Sequence, residues 1–391
     1  MFATIFRGYV GVAEVFATKV DPMRQRRTVG FEEEFLLLDV GGVPVAGVDA
    51  VLDWMRTNLG PEESSRFKPE LQRVQIESVS QVHTAMETLR SDLRAARGKL
   101  ATAGHDCKLV VLPIGYAPIC STPHCGGTED SRYARIHNRY REMAQTYTAC
   151  GAHVHVGVDG DDQAVAIVNH LRPWLPTLIA VGANSPFHDG HDSGYSSWRI
   201  AELSRFPGSG LPPYARSADD YENRVATLVE SGVLIDGHMS FWLARPSDVY
   251  PTVEVRAADT AATIDDAILQ AVLTRGLVQT AIGKLAAGIE GPHIDQQVGA
   301  AAVWSAARHG LTGPAIDTVE EVQVPALKML GDLIEWIADE LEEAGDIALA
   351  KRLLTALEHH GTGTARQRIV ARLGMKELVE SFRLTNGLSE N

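Results

Sequence analysis

The sequence predicts an α+β fold with a largely antiparallel sheet. Three observations carry this. Strand-like runs are interspersed with helical stretches over the first two-thirds of the chain, without the regular spacing of β-α-β units; no Gly-rich turn follows the first strand; and the last third reads as helical almost throughout. With 391 residues, 45% hydrophobic and 22% charged, the chain has the composition of an ordinary globular protein and is long enough for one large domain or two smaller ones. Phe206-Pro-Gly-Ser-Gly-Leu-Pro-Pro213 marks a loop rather than a linker, because patterned sequence continues on both sides. The expected organisation is an extension over residues 1–26 and a single domain over 27–391.

The extension is fairly apolar but carries Arg7, Glu14 and Lys19, and it lacks the basic start, unbroken apolar centre and small-residue exit of a signal peptide. We read it as accessory. The first strand falls within Thr28–Asp39 and contains the most informative feature of the chain, Glu32-Glu33-Glu34 inside an apolar run. With the two-residue period of a strand, Glu32 and Glu34 share one face, and Glu33 shares the other with Val29, Phe31, Phe35 and Leu37. Two carboxylates side by side on a half-buried sheet repel and are poorly solvated, so protons or cations must compensate them. The plain alternative is an edge strand with one wet face.

Further strands are expected at Val74–Ser80, Lys108–Pro113, Ala152–Val158 and Thr252–Ala257, each rich in β-branched or apolar residues and bounded by turn formers. Helical periodicity covers Thr84–Ala103, Asp162–Asn184 with Pro interruptions, Ile264–Ala287 and Val319–Ala344. Thr263-Ile-Asp-Asp266 reads as a helix start, a Thr cap followed by acids in the first turn.

Chemistry-bearing residues sit on or beside these strands. Glu70 and Glu77 lie within Pro69–Ser78, with Glu77 directly after the strand-like Val74-Gln-Ile76; Glu77 alone would pass as a solvated strand end. His153 and His155 alternate with Ala152, Val154 and Val156, so both imidazoles face one side, and a pair at that spacing is better explained by a shared ligand than by two satisfied core residues. Glu254 and Arg256 share a strand face, either as a same-strand salt bridge or, beside metal-binding carboxylates, with Arg256 as a fixed fork for a phosphoryl group. The loop Ala183–Arg199 is dense in donors and acceptors, among them His188, Asp189, His191, Asp192, Tyr195 and Arg199, as in substrate-binding loops. Carboxylates outnumber imidazoles, so magnesium or manganese suits the set better than zinc. Neither Gly-x-x-x-x-Gly-Lys-Ser/Thr nor Gly-x-Gly-x-x-Gly occurs.

The net charge of −14 argues against nucleic acid or an anionic membrane as the main partner and favours a bound cation and small molecules. No stretch reaches the roughly 18 to 20 uncharged apolar residues of a membrane span. Cys107, Cys120, Cys125 and Cys150 are too few for a disulfide scaffold, and a cytoplasmic setting is expected. Cys120, His124, Cys125 and Cys150 offer zinc-type donors but match no paired Cys-x-x-Cys spacing.

The order Gly-Phe-Glu-Glu-Glu-Phe, Gln-Ile-Glu, Gly-Ala-His-Val-His-Val-Gly, Ala-Asn-Ser-Pro-Phe, Gly-Tyr-Ser-Ser-Trp-Arg and Glu-Val-Arg-Ala-Ala-Asp resembles the type 2 glutamate-cysteine ligase family of bacterial carboxylate-amine ligases. The likeness runs from about residue 27 to Gly361-Thr-Gly-Thr-Ala-Arg-Gln-Arg368. It implies a glutamine-synthetase-like catalytic fold, in which a curved, mainly antiparallel sheet flanked by helices holds divalent cations and ATP on its concave face. By motif, Glu32 would bind one metal with Glu70 and Glu77, and Glu34, His153 and Glu254 a second; Glu254 and Arg256 would be catalytic. His155 and Arg256 would contact nucleotide phosphates, and Tyr195 and Arg199 would hold the amino-acid substrate. His191 and Ser78-Val-Ser-Gln81 depart from the family pattern and bear on substrate choice. The implied reaction activates a carboxylate, typically the γ-carboxylate of glutamate, as an acyl phosphate that an amine, typically that of cysteine, attacks. The resemblance also implies a homodimer. Other readings are the same chemistry on a different amine or carboxylate, and a catalytically silent nucleotide- or metal-binding module.

Overall fold

The alternation around the three glutamates does form a strand, β1 (Val29–Leu38), and it is central rather than at an edge. The structure, a computed structural model, describes residues 26–119 and 131–385. Residues 1–25 of the expected extension, and Cys120, His124 and Cys125, lie outside the described residues. β1 joins β2 (Phe67–Pro69), β3 (Gln75–Val79), β4 (Val110–Leu112), β5 (Gly151–Gly157), β6 (Ala244–Pro246) and β7 (Thr252–Asp259) in one seven-stranded sheet of order β6-β7-β5-β1-β3-β2, with β4 also paired to β1. Every pairing is antiparallel, as the α+β reading expects.

The sheet has two unlike faces. Phe31, Phe35 and Leu37 of β1, Ile76 of β3 and Val154 and Val156 of β5 are buried under helices, chiefly α1 (Met86–Asp106) and α4 (Ile264–Ala286). Burying each such side chain stabilises the fold by about 1.5–3 kcal/mol. Glu33 shares this apolar face and is compensated there by a cation: Arg97 of α1 reaches it with Nη2 2.6 Å from Oε1 and Nε 3.1 Å from Oε2. Both side chains are almost fully buried. The opposite face carries Glu32, Glu34, Glu77, His153 and His155.

The expected Thr263 cap is present at α4 and forms a reciprocal capping box: Thr263 Oγ1 accepts from the Asp266 amide and Asp266 Oδ2 accepts from the Thr263 amide. The pattern over 162–184 splits into α2 (Asp161–Leu171) and α3 (Leu175–Gly182) around Pro173. One expectation fails. The helical pattern placed over Val319–Ala344 begins instead in a hairpin, Pro314–Asp317 paired with Val322–Pro325, and only Ala326–Trp336 and Ala338–Glu343 are helical. The cause is local: Asp317 Oδ1 accepts from the Val319 and Glu320 amides, and Glu321 adopts φ 56°, a turn that favours pairing of the β-branched residues beyond it. The loop at 206–213 contains a two-residue strand, Ser209–Gly210, parallel to Phe241–Trp242. No single described helix is long and apolar enough to cross a membrane.

Candidate active site

Register assembles the polar face. Glu32 lies opposite His153, Glu34 opposite Glu77, and Glu254 opposite His155, so each acid meets another ligand-type side chain at cross-strand distance. Glu70 joins from the turn that follows β2. Between Val255 and Ala258, β7 slips by one residue against β5, a bulge of the kind that re-aims a side chain. Arg256 lies in it, with Nη1 3.3 Å from His153 Nδ1 and paired to Glu254.

These side chains form three overlapping groups, each offering ligand atoms within 4.8 Å of one another: Glu34, Glu70 and Glu77; Glu32, Glu77 and His153; and Glu32, His155 and Glu254. The grouping differs from the one that the family motif implies. Glu34 rather than Glu32 closes the set with Glu70 and Glu77, because Glu34 is the residue in register with Glu77. His155 stands among ligand-type groups, with Nε2 3.5 Å from Glu32 Oε1.

The electrostatics divide the face in two. Burial, reinforced by the charge of Glu70, pushes the Glu34 carboxyl up to about 8. Burial likewise raises Glu70, and burial together with Glu32 and Glu70 raises Glu77 well above the usual range. At the other end, burial would raise Glu32 and Glu254, but His153 and His155 hold Glu32 down, and Arg256 and Arg245 hold Glu254 well down. His153 is pushed down to about 4 by burial and by Arg256, so its imidazole is neutral near pH 7. Burial opposes a charge on His155, yet Glu32 and Glu254 outweigh it and raise that group. The buried Nε2 atoms of both histidines have no hydrogen-bond partner. Carboxylates driven toward protonation, neutral imidazole and buried nitrogens without partners form a donor set that hard divalent cations fit.

A cavity opens beside this face. Glu34, Glu70, His153 and Arg256 line one side; Arg132, Tyr133, Arg199, His238 and Ser240 supply further polar groups, and Ile136, Leu203, Met239 and Phe241 an apolar wall. Arg199 is buried, with Nη2 donating to the Arg256 carbonyl at 3.1 Å, while Nη1 lies 3.8 Å from Asp259 and makes no hydrogen bond. Tyr195 and His191 do not line the cavity. The Tyr195 hydroxyl accepts from Trp304 Nε1 at 3.2 Å, and Arg308 lies over its ring; His191 is exposed on a short hairpin. Sequence reasoning missed Arg245, whose Nε donates to Glu254 Oε2 at 2.7 Å and whose Nη1 donates to the His238 and Ser240 carbonyls. It also missed Arg132, which pairs with Asp236 at 2.9 Å. Their positions carry no local pattern, since strand pairing and helix docking bring them in from a distance. Cys107 and Cys150 are free thiols, and neither belongs to the three groups of ligand-type side chains; burial and the nearby charges of Glu34 and Glu70 raise the Cys150 thiol well above its usual range.

The profile of the family described as glutamate-cysteine ligase family 2 matches residues 28–381. A protein of Saccharopolyspora erythraea, provisionally named a glutamate–cysteine ligase 2-2, is 45% identical over 359 residues, covering 92% of this chain and 92% of its own. One of Salinispora tropica, provisionally named a glutamate–cysteine ligase 2, is 39% identical over 351 residues, 89% of this chain and 91% of its own. Among solved structures, the glutamate–cysteine ligase of Francisella tularensis in complex with AMP superposes with a TM-score of 0.67 at 12% identity, covering 93% of this chain and 90% of that one. The ligase PafA in complex with the ubiquitin-like protein Pup gives a TM-score of 0.56 at 14% identity, over 92% of this chain and 72% of that one. At such identities the likeness to these structures is one of fold.

Proposed function

We infer the reaction from a premise now in hand: this chain belongs to glutamate-cysteine ligase family 2, over a match that takes in nearly all of it. It is an ATP-dependent carboxylate–amine ligase. The finer reading is that one catalytic domain over residues 27–391 joins the γ-carboxylate of glutamate to the amine of cysteine. The observation that carries it is the single sheet face on which Glu32, Glu34, Glu77, His153, His155 and Glu254 stand in register.

In this reading Glu34, Glu70 and Glu77 would hold one magnesium or manganese ion, and Glu32 with His153, His155 and Glu254 would provide further coordination. The chemistry that such cations would supply when bound is neutralisation of the charge on the phosphate oxygens of ATP. A substrate carboxylate oxygen attacks the γ-phosphorus, the bond to ADP breaks, and an acyl phosphate results. The amine nitrogen then attacks the acyl carbon, phosphate leaves, and the nitrogen loses a proton. Arg256, kept fully charged by Glu254 and Glu34, offers Nη groups to the transferring phosphoryl oxygens. Arg199 offers Nη1, which makes no hydrogen bond within the protein, to the carboxylate of the amino-acid substrate. Tyr195 has a bracing part in its loop, and the exposed His191 has no part in this reading. The substrates are small amino acids, and the setting is the cytoplasm.

The apolar wall of Ile136, Leu203, Met239 and Phe241 favours a second reading, in which the same reaction takes an amine with a larger apolar side chain. Magnesium-dependent release of ADP from ATP and glutamate, with and without cysteine, tests both. Stimulation by cysteine with a γ-glutamylcysteine mass supports the first, and stimulation only by a larger apolar amine supports the second. ADP release unaffected by any amine would remove the ligase reading.

A further inference from the structure

Gly361-Thr-Gly-Thr-Ala-Arg-Gln-Arg368 lies far along the chain from the acids of the sheet, and none of its residues lines the cavity. It opens α5 (Gly363–Val370), with Thr362 as the cap that accepts from the Ala365 amide. The helix grips the loop that ends in Arg199 at several points. Gln367 Nε2 donates to the Asn184 carbonyl at 2.8 Å and to Asn184 Oδ1 at 2.7 Å. Thr364 donates through its hydroxyl to the Ser196 carbonyl and through its amide to the Ala183 carbonyl at 3.0 Å. Arg368 pairs with Asp192 through two contacts of 2.8 Å and donates to the Tyr195 carbonyl at 2.9 Å.

The gripped residues lead to the cavity. Asn184 N donates to Asp259 Oδ2 at 2.8 Å, Ser185 Oγ to the same oxygen at 2.7 Å, and Ser197 Oγ to Asp259 Oδ1 at 2.7 Å. Ser185 Oγ also accepts from the Arg199 amide at 3.1 Å. Asn184, Ser185, Ser197, Arg199, Asp259, Thr364 and Gln367 are all buried. A helix needs no dry polar chain merely to stay attached, since apolar contacts would do that without desolvating so many groups. What a satisfied buried network does supply is one fixed geometry. The approach is close at both ends: a Cβ on Gly363 would lie 2.1 Å from Asn184 Oδ1, and one on Gly151 2.3 Å from Arg199 Nη2.

We propose that the segment Gly361–Arg368 is a latch that positions Arg199, with Gln367 and Thr364 fixing the loop Asn184–Ser197 and, through Asp259, the guanidinium that receives the amino-acid substrate. The proposal rests on the reading that Arg199 binds that substrate's carboxylate. Gln367 is then a positioning residue, and its substitution perturbs the amino-acid site while sparing the nucleotide site.

The test is steady-state kinetics with Mg-ATP, L-glutamate and the amine substrate on four single variants and one double variant. Gln367→Met keeps length but removes both hydrogen bonds, and Gln367→Glu turns a carboxylate toward two acceptors. Arg368→Ala loosens the latch from the surface, so loss of folding cannot mask the result. Arg199→Lys serves as the reference. The expected result is a KM for L-glutamate raised about ten-fold in both Gln367 variants and less in Arg368→Ala, with the KM for ATP within about two-fold of the parent. In the Arg199→Lys background, Gln367→Met adds less than about two-fold, because coupled residues are not additive. Equal loss for ATP and L-glutamate, or fully multiplicative effects of Gln367→Met and Arg199→Lys, would overturn the latch while leaving the role of Arg199 intact. An unchanged L-glutamate KM in Arg199→Lys would instead remove the role of Arg199 and the latch with it.

Discussion

Glu34 of β1 stands directly opposite Glu77 of β3, and both offer an oxygen to the same group as Glu70. Three carboxylates converging beside a cavity are a costly arrangement for a metal-free chain, because burial and mutual repulsion drive them toward protonation. They are a favourable one once a divalent cation lies between them.

Replacing Glu34 by Gln separates these two aspects. The amide removes one anionic ligand, and turnover is expected to fall at least about 100-fold. The melting temperature of the metal-free protein should not fall, since repulsion from Glu70 and Glu77 is relieved. Parallel kinetics and thermal melts check both; unchanged turnover would take Glu34 out of the metal site.

The pH dependence of stability has a definite sign. In the folded chain the Glu34 carboxyl lies up at about 8 against an ordinary 4.5, so the folded state holds a proton that the unfolded state has lost. Stability therefore declines as pH rises through that interval. His153, pushed down to about 4, opposes the trend only below about 6.5, where an ordinary imidazole still gains a proton. Between about pH 6.5 and 8 the urea midpoint of the metal-free protein should fall, and saturating Mg²⁺ should flatten the slope with release of protons. A metal-free midpoint that rose over this range would contradict the assignment.

Arg97→Met leaves Glu33 buried without its cation, and the expected loss is about 3–5 kcal/mol of unfolding free energy. The double variant Glu33→Leu/Arg97→Met should recover most of that loss, because apolar residues suit this face of the sheet. Urea titrations of the single and double variants measure the difference. Equal destabilisation in the two would mean that packing of the Arg97 stem, rather than its charge, matters.

The strand alternation around Glu32 and Glu34, and the pairing of His153 with His155, were readable because period-two patterns report faces directly. Cross-strand partners were not. Nothing near Glu77 or Glu254 says which acid or imidazole it will oppose, and the register placed Glu34 rather than Glu32 with Glu70 and Glu77. Arg97 reaches Glu33 across 64 positions, and Arg245 meets Glu254 through strand pairing alone. Val322 and Val324 of the hairpin before Ala326 fit a helical pattern as well as a strand, because β-branched residues in a short run suit either period until the turn at Asp317 is considered. The motif that holds Tyr195 and Arg199 brings only Arg199 to the cavity lining; Tyr195 packs half-buried against Trp198 and Trp304, and His191, a departure from that motif, is exposed.

Arg256→Lys tests the phosphoryl-side reading. Lysine keeps the charge but loses the planar fork held between Glu254 and His153. Turnover should drop by about 100-fold or more with the KM for L-glutamate little changed. A variant with full turnover would show that Arg256 serves only as the partner of Glu254.

The most direct measurement of the central claim follows oxygen rather than rate. With Mg-ATP, the amine substrate and L-glutamate carrying ¹⁸O in its γ-carboxylate, the phosphate released should acquire one ¹⁸O per amide formed, because an acyl phosphate hands a carboxylate oxygen to phosphorus. Amide formation with no ¹⁸O in the phosphate would contradict activation of the carboxylate by phosphoryl transfer at this sheet face.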